Sequence, residues 1–375
     1  MKKIGIILAS LLAFSVHADS SLDFLKQLTL LPGASGDEKA VREVMKTRWQ
    51  AAGAKVAVDG IGNLIASPAN PGQGPKVLLM AHMDEIGYMV ESITPEGFLK
   101  VLPIGGVYPS VSYAHRWQIN TPKGIVVAYS GMDSPHQLSD AEKAILPPAD
   151  QSIFLDVGAK DKQEAEALGL RNGLFVTPEP AWAAMGASRY LAKALDDRAG
   201  LAVITDVLES KKAHPNQLFL AATVQEEIGL RGAGTVYPSI KPDVVINVEV
   251  GIADDYPQVI SKRKGRISLG KGPGLFVYDK SMIPHQGLLN WIIKLAHDNN
   301  IPLQLEIEPG YGEDGAKLQA SGAGIPVINI GMPIRYAHQE GGIFDKADYE
   351  NTIKLVQLIV SQLNSTVYSN DIING

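Results

Sequence analysis

The sequence predicts an α/β protein: a mostly parallel sheet wrapped by helices, carrying a small inserted β-barrel-like domain. Three observations point to it. Continuous apolar runs at residues 76–81 and 218–224 have the length of strands covered on both faces. Helical periodicity alternates with such runs over most of the chain. From about Ser92 to Pro180 the texture changes to short strand-like pieces set between Pro and Gly turns.

Taken in order, residues 20–31 read as a short helix ended by Pro32-Gly33. Ser35 and Glu38 then have capping-box spacing ahead of a helix reaching about Ala52. Residues 54–58 and 63–67 form a hairpin around Asp59-Gly60. The apolar run at 76–81 ends in His82-Met83-Asp84-Glu85. Within the insertion, strands are expected at 98–102, 117–121, 124–129 and 152–157, with a helix at 162–168. The α/β rhythm resumes with a helix at 195–210 opening on Asp196-Asp197. Strand 218–224 leads into Glu226-Glu227, followed by a helix at 230–237. Strand 244–248 ends in Glu249, helix 286–299 precedes strand 303–307, and strand 326–330 leads towards His338. A last helix covers about 346–363. The division is 1–18 as a signal peptide, 19–91 with 181–375 as the main α/β domain, and 92–180 as the insertion.

A chain of 375 residues with 45% hydrophobic and 20% charged residues is long enough for a large domain plus an insertion, and its make-up is that of an ordered globular protein. The net charge of -6 and the scattered basic residues argue against a nucleic-acid partner. Lys2 and Lys3, an apolar stretch from Ile4 to Leu12 and the small-residue exit Val16-His17-Ala18 read as a secretory signal cleaved after Ala18. The expectation is an exported, periplasmic or secreted product with no membrane span in its mature form. The chain has no cysteine, so no disulfide contributes to its stability.

The candidate chemistry is positional. His82, Glu226, Glu227 and Glu249 each lie within a residue or two of the end of a predicted buried strand, Asp196 opens a helix, and His338 follows a strand in a loop. If those strands are parallel, imidazole and carboxylate groups converge at one edge of the sheet, where open α/β folds bind ligands. Such a set suits zinc or a similar divalent ion. Each member alone has an ordinary reading: a hydrogen-bonded core histidine, a helix N-terminal acid, a solvated glutamate pair. Together they make a site.

At these residues the chain resembles the TET-type dinuclear metalloaminopeptidases, a family that includes glutamyl and deblocking aminopeptidases and relatives once labelled cellulases or endoglucanases. The matching stretches are Ala81-His82-Met83-Asp84-Glu85-Ile86-Gly87, Ala194-Leu195-Asp196-Asp197-Arg198-Ala199-Gly200, Gln225-Glu226-Glu227-Ile228-Gly229-Leu230-Arg231-Gly232-Ala233 and Arg335-Tyr336-Ala337-His338. The resemblance implies two divalent ions per subunit, zinc foremost with cobalt or manganese as alternatives. It makes Asp196 the bridging ligand, gives His82 and Glu249 to one ion and Glu227 and His338 to the other, sets Asp84 behind His82, and makes Glu226 the general base. It also implies peptide substrates and a homo-oligomer, from dimers built through the insertion up to dodecamers. Glu249 stands where the family usually has aspartate, and Gly312-Glu313-Asp314-Gly315 replaces its more usual Gly-Thr-Asp pattern. Family members are typically cytoplasmic, which sets them against the export signal read here. A dinuclear carboxypeptidase or amidohydrolase, a two-carboxylate glycoside hydrolase and a non-catalytic metal- or peptide-binding protein on the same scaffold are the other readings.

Overall fold

The structure, a computed structural model, describes residues 20–68, 72–143, 153–259 and 267–375. The signal-peptide reading falls on residues 1–18, outside the described residues.

Four strands build the centre. Lys76–His82 pairs in parallel with Gln217–Thr223 on one side and with Val244–Ile252 on the other, and Val244–Ile252 pairs in parallel with Val327–Arg335. All of Val244–Ile252 is buried except its last residue, as expected of strands roofed on both faces. Alternation assigns the two faces. Val77, Leu79 and Ala81 join a cluster with Val41, Met45 and Trp49 of helix Lys39–Ala51, Leu201 of helix Leu195–Glu209 and Leu355 of helix Lys346–Gln362. Leu78 and Met80 point the other way, onto Val236 of helix Ala233–Ile240 and Leu318 of helix Gly315–Gln319. Each fully buried aliphatic side chain contributes about 1.5–3 kcal/mol of transfer free energy, so the two-faced run fixes both register and topology.

Antiparallel strands flank this centre. Hairpin Lys55–Val58 and Leu64–Ser67 extends one edge, and Gly342–Asp345, Arg189–Ala192 and Trp182–Met185 extend the other, giving a path of nine strands among the described residues. Gly274–Asp279 and Gln304–Glu308 form a branch off Val327–Arg335.

The inserted region forms a separate antiparallel sheet of six strands, ordered Gly124–Ser130, His115–Thr121, Phe175–Pro178, Gly87–Ile93, Leu99–Ile104, Ile153–Leu155. A bridge between Tyr129 and Asp156 draws its two edges together, so it curls into a half-barrel. Tyr88 packs edge-on against Trp117 with centroids 5.2 Å apart, and the Trp117 indole donates to Ser130 Oγ at 2.9 Å. The sheet starts at Gly87, so the same stretch that leaves His82 also opens the insertion.

Several local expectations shift. Ser35 does not cap its helix; its hydroxyl donates to the buried Asp84 carboxylate at 2.6 Å, a charge-assisted bond stronger than a cap. Residues 225–232 form a turn rather than the start of a helix, held by backbone bonds from Gly229 and Leu230 to the Glu226 carbonyl and from Gly232 to Val224. Helix Ala233–Ile240 begins only after it. Glu249 lies inside its strand, because the parallel partner Val327–Arg335 continues the ladder to Ile252. No helix among the described residues is long and apolar enough to cross a membrane.

Candidate metal centre

The carboxyl edge of the parallel strands gathers all the residues singled out from the sequence. Lys76–His82 delivers His82 as its last residue, and Val244–Ile252 delivers Glu249. Asp196 and Asp197 stand at the start of helix Leu195–Glu209 with non-helical backbone angles, so Asp196 turns into the sheet edge while Asp197 caps the helix through the Gly200 amide and reaches the edge with its other oxygen. The 225–232 turn enters through Gln225 at φ 55° and carries Glu226 and Glu227. His338, at φ 56°, lies in the loop after Val327–Arg335.

Two groups of donor atoms result. In the first, His82 Nε2 lies 2.9 Å from Asp196 Oδ1 and 3.2 Å from Glu249 Oε1. In the second, His338 Nε2 lies 3.3 Å from Asp196 Oδ2 and 3.5 Å from Glu227 Oε2. Within each group the ligand atoms all fall within 4.8 Å of one another. Asp196 therefore offers one oxygen to each group. Both histidines point Nδ1 away from the cluster at a backbone carbonyl, His82 at Asp84 O (3.0 Å) and His338 at Gly106 O (3.1 Å). A carbonyl only accepts, so Nδ1 carries a proton and Nε2 is the nitrogen turned to the cluster, the one that would ligate a cation.

Asp84, fully buried, ties these parts together. Its Oδ2 accepts from Ser35 Oγ and from the Glu227 amide at 3.2 Å, and its Oδ1 accepts from the Glu226 amide at 3.0 Å. Asp197 was legible only as a helix-start acid, but its Oδ2 accepts from the His82 amide at 3.2 Å and its Oδ1 from Gly200 at 2.9 Å. Thr223 and Asp314 escaped sequence reading as a pair. The Thr223 hydroxyl donates to Asp314 Oδ2 at 2.6 Å, joining a strand end to the start of a helix distant in the chain, and no spacing signal marks such a contact.

Electrostatics show what the cluster attracts. Burial pushes the carboxyls of Glu226, Glu249 and Asp197 well above the usual carboxylate range, with neighbouring acids adding to it, and pushes Glu227 up to about 7. Burial alone would lower both imidazoles, yet Glu249 and Asp196 raise His82 well above its ordinary value, and Glu227 and Asp196 raise His338 to about 10. Burial would raise Asp196 too, but the imidazoles of His338 and His82 hold it well below its usual range. The cluster thus gathers protons to offset its own negative charge. Divalent cations would take the place of those protons, and a mixed nitrogen and oxygen donor set of this kind suits zinc and its neighbours. The residues present fit such ions.

The comparisons with known proteins identify the family. The family model described as M42 glutamyl aminopeptidase matches residues 62–355. A TET aminopeptidase from the marine sediment archaeon Thaumarchaeota archaeon SCGC AB-539-E09 is 34% identical and superposes with a TM-score of 0.89, covering 94% of this chain and 99% of that one. A lysyl aminopeptidase of Pyrococcus furiosus is 33% identical over 91% of this chain and 97% of its own length. The TET1 peptidase of Pyrococcus horikoshii, described as able to assemble into a tetrahedron or a large octahedral shell, is 28% identical with a TM-score of 0.80, covering 92% of this chain and all of that one. This kinship corrects the export reading: the matches support a hydrolase of the aminopeptidase kind, and neither a signal peptide nor a periplasmic address finds support in them. By a family match over most of its length and by relatives aligned almost end to end, the chain belongs to the M42 glutamyl aminopeptidase family.

Proposed function

We propose that the chain is an aminopeptidase that removes N-terminal residues from peptides, working with two divalent ions per subunit, zinc foremost and cobalt or manganese as alternatives. The observation that carries this is the division of Asp196, one carboxylate oxygen in each of two histidine-containing groups. The names of the aligned relatives, lysyl and TET aminopeptidases, support peptide bonds as the substrate. When bound, the ions supply positive charge that makes water a better nucleophile and offsets the charge growing on the scissile carbonyl oxygen. His82 and Glu249 would hold one ion, Glu227 and His338 the other, with Asp196 between.

The remaining work belongs to the chain's own groups. Glu226 is the general base: its carboxylate takes the proton of the attacking water and delivers it to the departing amine. Burial holds that carboxyl above its usual range, which suits a proton acceptor that must also give the proton back. Asp84 fixes the amides of both Glu226 and Glu227, so one side chain can face substrate while the next faces the ions. Association of copies through the inserted sheet belongs to the same reading. Its outer face exposes Ile125, Val127, Leu102 and Phe154, an apolar surface suited to a second copy of this chain.

The test is a substrate panel run with and without chelator. Aminoacyl anilides with a free amine should be cleaved and N-blocked dipeptides spared. Chelation should abolish turnover, and added zinc, cobalt or manganese should restore it. Chelator-insensitive cleavage, or preference for the blocked substrates, would overturn the reading.

A further inference from the structure

The two donor groups are supported differently. His82 is backed from within the catalytic body, by the Asp84 carbonyl on its Nδ1 and by Asp197 on its amide. His338 is backed by the inserted sheet. Its Nδ1 meets the carbonyl of Gly106, in the turn just after strand Leu99–Ile104. The fit there is tight enough to exclude a side chain: a Cβ on Gly106 would stand 2.6 Å from His338 Nδ1 and 3.0 Å from Cε1. The neighbouring Gly105, at φ 79°, packs against the other ligand of the same group, where a Cβ would lie 3.1 Å from Glu227 Cβ and 3.2 Å from its Oε2. A second tie links the same pieces, since His115 of the inserted strand His115–Thr121 pairs with Glu340, two residues beyond His338. The loop they hold carries Tyr336 and His338 at φ 64° and 56°, a left-handed backbone that is strained for non-glycine residues and persists only where the surroundings impose it.

We propose that the Gly105-Gly106 turn, clamped by the His115–Glu340 pair, is the positioning element for the Glu227/His338 group, so that catalytic body and inserted sheet build the second cation site jointly. The first site needs no part of the insertion. This rests on the two-ion reading of the preceding section. It follows that a change in the insertion acts on the ion of the Glu227/His338 group and leaves the other ion's site intact. The Gly106 carbonyl holds the imidazole tautomer that leaves Nε2 free, and the absence of a side chain at residue 106 lets the ring lie over the turn.

The test is calorimetric titration of the metal-stripped full chain with zinc, comparing wild type, Gly106→Ala and His338→Ala. The wild type should take up two ions per chain in separable steps. Gly106→Ala should weaken one step about tenfold or more, the range for lost outer support of a metal ligand, leave the other within about twofold, and resemble His338→Ala. If Gly106→Ala yields no folded protein, Glu340→Gln takes its place, with the same step weakened at smaller amplitude. With one step lost in His338→Ala, two steps unchanged in Gly106→Ala or in Glu340→Gln, or both weakened alike in folded protein, would overturn the proposal while leaving the two-ion reading intact. A wild type that binds fewer than two ions would overturn both.

Discussion

Glu226 and Glu227 are chain neighbours with opposite duties, and their separation is imposed by backbone, not by side-chain chemistry. The positive φ of Gln225 turns the chain as it leaves strand Gln217–Thr223, and Asp84 then accepts both following amides, which fixes where each carboxylate can reach. Glu226→Gln keeps the shape and removes the proton acceptor, so kcat should fall by at least about a hundredfold while zinc content by elemental analysis stays at the wild-type level. Ser35→Ala acts one layer out. It strips Asp84 of a buried 2.6 Å hydrogen bond, and the unfolding free energy measured in urea should drop by about 1–3 kcal/mol. Strand ends and the adjacent acids made the donor set legible in the sequence, because a buried strand that stops in His or Glu carries its meaning in one dimension. Ser35 was not legible in the same way: its local capping pattern was genuine, but a carboxylate forty-nine residues away outcompeted the cap.

The elements that place the site are the long apolar strands, and their edges need separate fastening. Strand Val327–Arg335 ends on Arg335, whose Nε and terminal nitrogen donate to the two carboxylate oxygens of Asp255 at 2.6 and 2.8 Å. That fork anchors the start of the loop carrying His338. Burial would raise the Asp255 carboxyl, but the Arg335 fork outweighs it and holds the group below its ordinary 3.8. A carboxyl depressed in the folded state stabilises above its unfolded pKa and loses that contribution as pH falls through the lower folded value. Arg335→Gln should therefore cost roughly 1 kcal/mol in urea melts at neutral pH, at the low end for a partly exposed charge-assisted pair, and the difference should shrink steadily below pH 3.8. Equal destabilisation at neutral and acid pH would assign the effect to packing instead. Long elements were readable from periodicity, as with Lys39–Ala51 and Lys346–Gln362. The four-residue strands Trp182–Met185, Arg189–Ala192 and Gly342–Asp345 were not, since they exist by pairing with one another across distant sequence and carry no pattern of their own.

At the scale of the whole molecule, the inserted sheet has one face too many. Its inner face is filled by Tyr88, Val101, Trp117, Ile119 and Val176, whereas strand Gly124–Ser130 alternates so that Ala128 points in and Ile125 and Val127 point out, 65% and 51% exposed. An alternating strand whose outward positions are as apolar as its inward ones is expected where another surface covers it. Val127→Glu tests that cover without disturbing the fold, because the side chain already stands outside the core and a carboxylate there stays solvated in an isolated chain. Light scattering at matched concentration should report a smaller particle than the wild-type assembly, with the far-UV spectrum unchanged. The same variant reads communication between the two sheets: the Gly106 turn leans on His338 from this insertion, so a subunit released from its neighbours should also need more free zinc to reach half-maximal peptidase activity. A particle of unchanged mass would mean that copies meet elsewhere. A smaller particle with unchanged zinc demand would mean that the inserted sheet holds its turn in place without help from a second copy.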